Sequence, residues 1–314
     1  ELRTGDFLDS LLDGVAQVVI SPGLSLGEPV AVAALRRGLP VVGDIELFAR
    51  EAQSPVAAIT GTNGKSTVTA LLAELAGAAG RSAIAGGNLG EPALDLLERP
   101  APALYVLELS SYQLETTYTL ETVVATVLNV TPDHLDRYRT IDDYAAAKAR
   151  IFERCATAVV NADDARVREM PGAGQCVITF SLQDPAADYY LAREPEPTLS
   201  CRGEALLPVS ALRLQGEHNA ANALAALAMC EALELPRAPV LDALAAFGGL
   251  PHRAQWVADV GGVRFVNDSK GTNVGATLAA VSGLAGPLVL IAGGDGKNQD
   301  FDELRPVCRG KVRP

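Results

Sequence analysis

Short apolar runs alternate with segments of helical spacing along most of this chain. Val18-Val19-Ile20 reads as a strand that stops at Ser21-Pro22-Gly23. A helix is predicted over 30–37 with Gly38 as its stop, then a strand at Val41-Val42 and a helix over 44–50. Residues 56–59 form an apolar run. Beyond it Val68, Leu71, Leu72 and Leu75 recur at i, i+3, i+4 and i+7, one face of a helix. The alternation continues with predicted strands at 82–85, 104–107, 123–129 and 158–160. A helix is predicted over 142–155, with Thr140 and Asp143 at capping-box spacing. Residues 176–215 read as short strands and turns, and a helix follows over about 219–233. Gly248-Gly249-Leu250-Pro251 reads as a hinge. After it come a strand at 263–267, a helix at about 275–281 and a strand at 288–292 that runs into Gly293-Gly294-Asp295-Gly296-Lys297. Strand–helix alternation of this kind predicts an α/β, multi-domain chain with Rossmann-like parallel sheets. Polar residues gather at the carboxyl ends of the strands, where open α/β sheets bind ligands.

One turn carries the strongest chemical signal. Between the run 56–59 and the helix face that begins at Val68 lies Thr60-Gly61-Thr62-Asn63-Gly64-Lys65-Ser66-Thr67. Strand, glycine turn and helix in that order are the context that a phosphate-binding loop (P-loop) needs. Glycine lets successive backbone N–H groups face one anion, and the helix N-terminus adds partial positive charge. Lys65 can reach outer phosphates, and the Ser66 hydroxyl can ligate a phosphate-bound magnesium. The loop departs from the usual G-x-x-x-x-G-K-[ST], because Gly61 lies only three residues before Gly64. The alternative reading is a surface turn ahead of a well-capped helix.

Composition narrows the partners. In 314 residues, 26 Lys and Arg face 38 Asp and Glu, a net charge of −12, which argues against a nucleic-acid surface. With 48% hydrophobic residues and no apolar run near the ~18 residues of a span, a large core and no membrane segment are expected. The five scattered cysteines form no CxxC pair, which suits a reducing, cytoplasmic compartment. The opening Glu1-Leu2-Arg3 resembles neither a signal peptide nor an initiation site, so the sequence is expected to begin inside a longer protein.

Other positions gain meaning from the loop. Glu108 ends an apolar strand, where phosphate-loop enzymes place an acid that holds magnesium; otherwise it is a solvated strand-end carboxylate. His134 follows the next strand beside Asp133. Lys148 lies on the apolar face of the helix shared by Tyr144, Ile151 and Phe152. It is either a snorkelling stem or a buried amine, and a buried neutral amine can react with carbon dioxide to give an anionic carbamate. Asn219 and Asn222 share one side of an Ala/Leu-rich helix, suited to capping or to reading a base edge. Beyond the hinge stand Arg253, Asp268, Lys270 and Lys297, cations and an acid that could close on a phosphate.

GTNGKST (61–67), LELSSYQLE (107–115), NVTPDHLDRY (129–138), YAAAKARIF (144–152), GEHNAANALAAL (216–227), LPHR (250–253) and NDSKGTN (267–273) occur in this order. Together they resemble the Mur ligases of peptidoglycan synthesis, over about residues 21–304. GDIELF (43–48), SSYQLE and NDSKGTN are most similar to the members that add D-glutamate. Gly271 stands where alanine is common in that family. The family's N-terminal glycine loop and most of its C-terminal domain have no counterpart here.

The resemblance implies a remnant of an N-terminal UDP-substrate-binding domain (1–43), a central ATP-binding P-loop domain (44–248) and the first part of a C-terminal Rossmann-like domain (249–314). It implies a cytoplasmic, monomeric, ATP-dependent ligase that joins D-glutamate to UDP-N-acetylmuramoyl-L-alanine through an acyl phosphate. Gly61, Thr62, Asn63, Gly64, Lys65, Ser66, Thr67, Asn219, Asn222, Arg253 and Asp268 would contact ATP. Ser66 and Glu108 would hold one Mg2+, and His134 and carbamylated Lys148 a second. Ser21, Gly23, Asn88, Ser110 and His134 would contact the UDP substrate, and Lys270, Thr272 and Lys297 the acyl phosphate or D-glutamate. The catalytic candidates are Lys65, His134, Lys148, Arg253 and Lys270. The alternatives are a sibling ligase or folylpolyglutamate synthase using another amino acid and, from another class, a nucleotide-binding switch. The Asn-Lys-x-Asp string with which such switches read guanine is absent from the sequence.

Overall fold

The computed structural model describes residues 4–313 except 135, 136, 215, 251, 253, 254, 285, 297 and 298, and it leaves the Trp256 side chain undescribed. The chain opens with a parallel pair, β1 (Val18–Val19) and β2 (Val41–Val42), joined through α1 (Pro29–Arg36). Proline opens α1, where its missing N–H costs nothing, and Gly38 ends it at φ +73°. Helix α2 (Asp44–Glu51) leads into the main body. Its buried Glu46 accepts the backbone amides of Tyr118 and Thr119 at 2.7 and 2.9 Å, which pins α2 to the segment around residues 118–119.

The main body alternates β3 (Val56–Thr60), α3 (Lys65–Ala78), β4 (Ala83–Gly87), α4 (Ala93–Leu96), β5 (Leu104–Glu108), α5 (Ser111–Glu115), β6 (Thr122–Val127), α6 (Ile141–Ala149), β7 (Cys155–Asn161), α7 (Ala165–Arg168) and β8 (Cys176–Ser181). Strands β9 (Tyr189–Ala192), β10 (Thr198–Cys201) and β11 (Glu204–Pro208) follow, then α8 (Glu217–Ala232) and α9 (Arg237–Ala246). Among the described residues, nine strands form one sheet in the order β11-β10-β9-β8-β7-β6-β3-β5-β4. Strands β3 to β8 are parallel; β9–β10 and β10–β11 are antiparallel. The chain runs outward from β3 to β4 and β5 on one side, then returns to β6 on the other. The carboxyl end of β3 is therefore a topological switch point flanked by β5 and β6.

Both faces of this sheet are covered, which explains its nearly continuous apolar strands. On one face Ala57 and Ile59 pack with Leu71, Leu72 and Leu75 of α3 and with Leu224 and Leu227 of α8. On the other, Val56 and Ala58 pack with Phe48 of α2, Leu96 of α4 and Tyr144 of α6. The remaining elements are an antiparallel pair, β12 (Gln255–Val260) and β13 (Val263–Asn267), then α10 (Val274–Gly283) and α11 (Leu304–Cys308).

Several expectations need correction. The helix expected to reach Cys155 ends at Ala149, continues as a 3-10 turn over Arg150–Phe152, and gives way to β7, because Cys155 pairs with Thr122 in the parallel ladder. Residues 176–215, by contrast, hold the short strands and turns expected of them: β8 extends the parallel sheet and β9–β11 form a meander on it. In the expected strand at 288–292, only Leu288 pairs, with Val312. Helix α9 and strand β12 had no sequence expectation.

Candidate active site

The glycine turn sits at the switch point, stitched to the segment that follows β6. The amide of Thr62 donates to the Asn129 carbonyl at 2.9 Å, and the amide of Asn63 to Asn129 Oδ1 at 2.9 Å. Asn129 Nδ2 returns a bond to the Asn63 carbonyl at 3.1 Å. These bonds commit the Thr62 and Asn63 amides to the scaffold, so the anion-facing part of the turn is Gly64 to Thr67, the N-terminus of α3. Gly64 is left-handed at φ +87°, and a Cβ there would lie 2.5 Å from Asn222 Oδ1 on α8. Only glycine fits that close approach.

Lys65 folds back over its own loop, with Nζ donating to the carbonyls of Gly61 and Thr62 at 2.9 Å each. From the opposite side Lys148, 1% exposed on α6, donates to the same Gly61 carbonyl at 2.9 Å. Its Nζ also lies 4.3 Å from the centroid of the Tyr144 ring. Burial pushes the Lys148 amine well below the ordinary lysine range, the Lys65 charge adds to this, and Asp133 and Glu108 oppose it. Lys148 is therefore a buried amine among charges and not a snorkelling stem.

Glu108 stands at the end of β5, 2% exposed. Its Oε1 accepts from Asn88 Nδ2 at 2.7 Å, while Oε2 is buried with no hydrogen-bond partner. A buried carboxylate oxygen without a donor is costly unless a cation completes it. His134 adopts φ +54°; its Nδ1 lies 2.8 Å from the Tyr112 hydroxyl and its Nε2 3.8 Å from Asp133 Oδ2. The polar ends of β3, β5 and β6 thus converge on one crevice.

A cavity adjoins the loop. Asn63, Gly64 and Thr67 line it with Asn219 and Asn222 of α8, and Asp268, Gly271 and Ala276 line it from the C-terminal segment. Asn273, which caps α10, donates to Asn63 Oδ1 at 3.0 Å and to Asp133 Oδ2 at 3.3 Å, tying that segment to the loop.

Comparison with known proteins gives the chain a family. The family model described as the Mur ligase middle domain matches residues 59–230. The chain is 57% identical over 307 residues to the UDP-N-acetylmuramoylalanine--D-glutamate ligase of Nitrosococcus oceani, covering 96% of this chain and 68% of that protein. It is 50% identical over 314 residues to the Escherichia coli protein of the same name, covering 99% of this chain and 71% of that one. The chain belongs to the Mur ligase family. A solved UDP-N-acetylmuramoyl-L-alanyl-D-glutamate--2,6-diaminopimelate ligase shares the fold of this Mur ligase, with a TM-score of 0.61 at 24% identity over 86% of this chain and 68% of that one.

The expected site residues fall into three groups in this Mur ligase. Lys65, Ser66, Glu108, His134 and Lys148 surround the crevice, and Asn219, Asn222 and Asp268 share the cavity with the loop. Ser110 instead closes a reciprocal capping box with Gln113 at the start of α5. Asn88 bonds Glu108, the Ser21–Gly23 turn is exposed beyond β1, and Lys270 and Thr272 present exposed side chains. Arg253 and Lys297 lie outside the described residues. Asn129, Asn273 and the buried Asp133 had no assigned role, although a polar residue just past a strand end is the signal that would have flagged Asn129. Among the described residues, no three His, Cys, Asp or Glu side chains cluster as a metal site, and no helix is long and apolar enough to cross a membrane. The expected cation sites use Ser66 and Lys148 beside Glu108 and His134, and the unpartnered Glu108 Oε2 fits such an ion.

Proposed function

We propose that this Mur ligase joins D-glutamate to the L-alanyl carboxylate of UDP-N-acetylmuramoyl-L-alanine at the expense of ATP, in cytoplasmic peptidoglycan precursor synthesis. The observation that carries this reading is the buried Lys148 amine, seated on the Gly61 carbonyl of the phosphate loop within reach of the Glu108 and Asp133 charges. A carboxylate is a poor electrophile, and phosphorylation by ATP gives it a leaving group. The D-glutamate amine then attacks the acyl phosphate carbon, an amide bond forms and phosphate departs.

Each side chain has a task in that sequence. The N-terminus of α3 receives the phosphates, and Lys65 exchanges its loop carbonyls for their outer oxygens. Asn219 and Asn222 face the nucleotide in the cavity, with Asp268 opposite. Burial lowers the Lys148 pKa and so favours the neutral amine, which adds to carbon dioxide through its lone pair and releases a proton, giving a carbamate. Ser66 with Glu108, and His134 with that carbamate, would hold two Mg2+ ions, which supply charge screening between the two reacting anions. Arg253, Lys270, Thr272 and Lys297 would guide the transferred phosphoryl group and D-glutamate, and Ser21, Gly23, Asn88 and Ser110 the UDP substrate. The division into 1–43, 44–248 and 249–314 belongs to the same reading, as does a monomer.

The test is phosphate release by the purified chain with ATP, UDP-N-acetylmuramoyl-L-alanine and a panel of amino acids. Turnover with D-glutamate and a product of matching mass is expected. Turnover only with another amino acid would make it a sibling ligase, and tight GTP binding without hydrolysis would make it a switch.

A further inference from the structure

His134 is held by a residue that the site assignment leaves without a role. Tyr112 lies on α5, one short turn beyond Glu108, and its hydroxyl is 2.8 Å from His134 Nδ1. The two rings meet edge to face at 5.0 Å between centroids. Helix α5 is fixed at its start by the Ser110–Gln113 box, and Gln113 Nε2 also bonds Asp44 Oδ2 of α2 at 2.9 Å. Tyr112 is therefore placed by the same rigid turn that follows Glu108. On its other side the Arg137 guanidinium stacks 4.2 Å from the Tyr112 centroid. Arg137 donates to the carbonyls of Pro22 and Leu24 at 3.3 and 3.1 Å and pairs with Glu115 at 2.6 Å. A continuous series of contacts thus runs from the 21–24 turn through Arg137 and Tyr112 to His134.

We infer that Tyr112, backed by Arg137, is a positioning residue that takes the Nδ1–H of His134 and so presents the Nε2 lone pair to a divalent cation. The chemical reason is valence. A neutral imidazole has one N–H and one lone pair, and whichever nitrogen donates leaves the other to ligate. With Nδ1 engaged by Tyr112, only Nε2 faces the Asp133 side of the crevice. Left-handed His134 has its backbone constrained by the Asp133 Oδ1 bond to its amide at 3.0 Å, and the Tyr112 hydroxyl sets the ring. Partners of this kind orient metal-bound histidines, and their loss weakens metal binding about 10- to 100-fold. Arg137 extends the same control to the turn expected to meet the UDP substrate, so the histidine is aligned from both its own strand end and the N-terminal segment.

This inference rests on the reading that His134 faces a cation, and the experiment separates the two. The chain has three histidines, so nitrogen-15 imidazole spectra are readily assigned. In the wild-type protein without metal, the proton is expected on Nδ1 of His134; a proton on Nε2 overturns the inference without any variant. Mn2+ should broaden His134 resonances, and no broadening there overturns the cation reading and the inference with it. Tyr112→Phe keeps the ring under Arg137 and removes only the hydroxyl. It should mix the His134 tautomers and weaken Mn2+ about 10-fold while metal-free ATP binds unchanged. Arg137→Met should loosen Mn2+ less than Tyr112→Phe does. Wild-type Mn2+ affinity in Tyr112→Phe, with the tautomer unchanged, sinks the proposal.

Discussion

Lys148 Nζ and the Gly61 carbonyl oxygen stand 2.9 Å apart, a bond that ties α6 to the phosphate loop across a sequence separation of 87. Lys65 bonds the same carbonyl, so two amines share one oxygen at the centre of the crevice. That arrangement disfavours the charged form of Lys148 and makes the residue a liability to the fold.

The stability consequence has a definite sign. The folded chain releases the Lys148 proton at a lower pH than the unfolded chain does, because burial lowers its pKa. Between those two values the unfolded state binds more protons, so stability rises with pH until the unfolded lysine value near ~10.4 is reached. Lys148→Met removes the penalty. In bicarbonate-free buffer the variant should be more stable than the parent by about 1–3 kcal/mol at neutral pH. The gain should shrink as pH rises, measured by thermal unfolding across pH. Labelled bicarbonate should mark Lys148 in the parent, and a parent that stays unlabelled under those conditions removes the carbamate from the mechanism.

Glu108→Gln keeps the bond from Asn88 to one side-chain oxygen and deletes the charge whose second oxygen has no donor. Without metal the variant should melt at or above the parent's temperature, since a buried charge is gone. The melting shift produced by Mg2+ with ATP should vanish, because a ligand that binds only the folded state stabilises it by mass action. Turnover should fall at least about 100-fold, as expected for losing a group worth several kcal/mol of charge stabilisation. An undiminished Mg2+ shift in Glu108→Gln would contradict the assignment.

Gly64→Ala tests the loop. The residue is left-handed, which costs an alanine about 1–2 kcal/mol, and its Cβ would meet Asn222 Oδ1 at 2.5 Å. Nucleotide affinity should drop more than stability, because Asn222 is pushed from its place in the cavity. Calorimetric ATP titration beside a melting curve separates the two effects.

Asn273 carries two jobs that can be divided. Its side chain caps α10 by accepting the Ala276 amide at 2.8 Å, and it reaches Asn63 and Asp133 across the crevice. Asn273→Ala should cost about 1 kcal/mol of α10 stability and speed its hydrogen exchange. Asn273→Ser keeps the cap and loses the reach. It should restore slow exchange within α10 but leave turnover depressed; full recovery of turnover would show that the cap alone matters.

Much of the main body was legible because its period changes cleanly. Val68, Leu71, Leu72 and Leu75 announced α3, and Val56 to Ile59 announced β3, since a buried parallel strand must be apolar on both faces. The helix toward Cys155 was overextended because Ile151 and Phe152 continue the helical spacing while the backbone has already tightened into a 3-10 turn. Strand β8 gave no clear alternation because the apolar Val177 is exposed beside the buried Ile178 and Phe180, and α9 was hidden by Pro236 and Pro239 near its start. At the site, residue type pointed to Glu108, Lys148 and the loop. Tyr112 and Asn273 were invisible because their roles come from neighbours distant in sequence, and no local spacing encodes a bond between residues 273 and 63.

The cavity beside the loop has walls from two parts of the chain: Gly64, Asn219 and Asn222 on one side, Asp268, Gly271 and Ala276 on the other. Any molecule lodged there is a clasp between them. By reciprocity, if the nucleotide lies there as proposed, a change that loosens the α10 side weakens its binding by the same free energy with which the nucleotide fastens α10. In that reading, residues on the far face of α10, touching no substrate, would still tune the affinity for ATP.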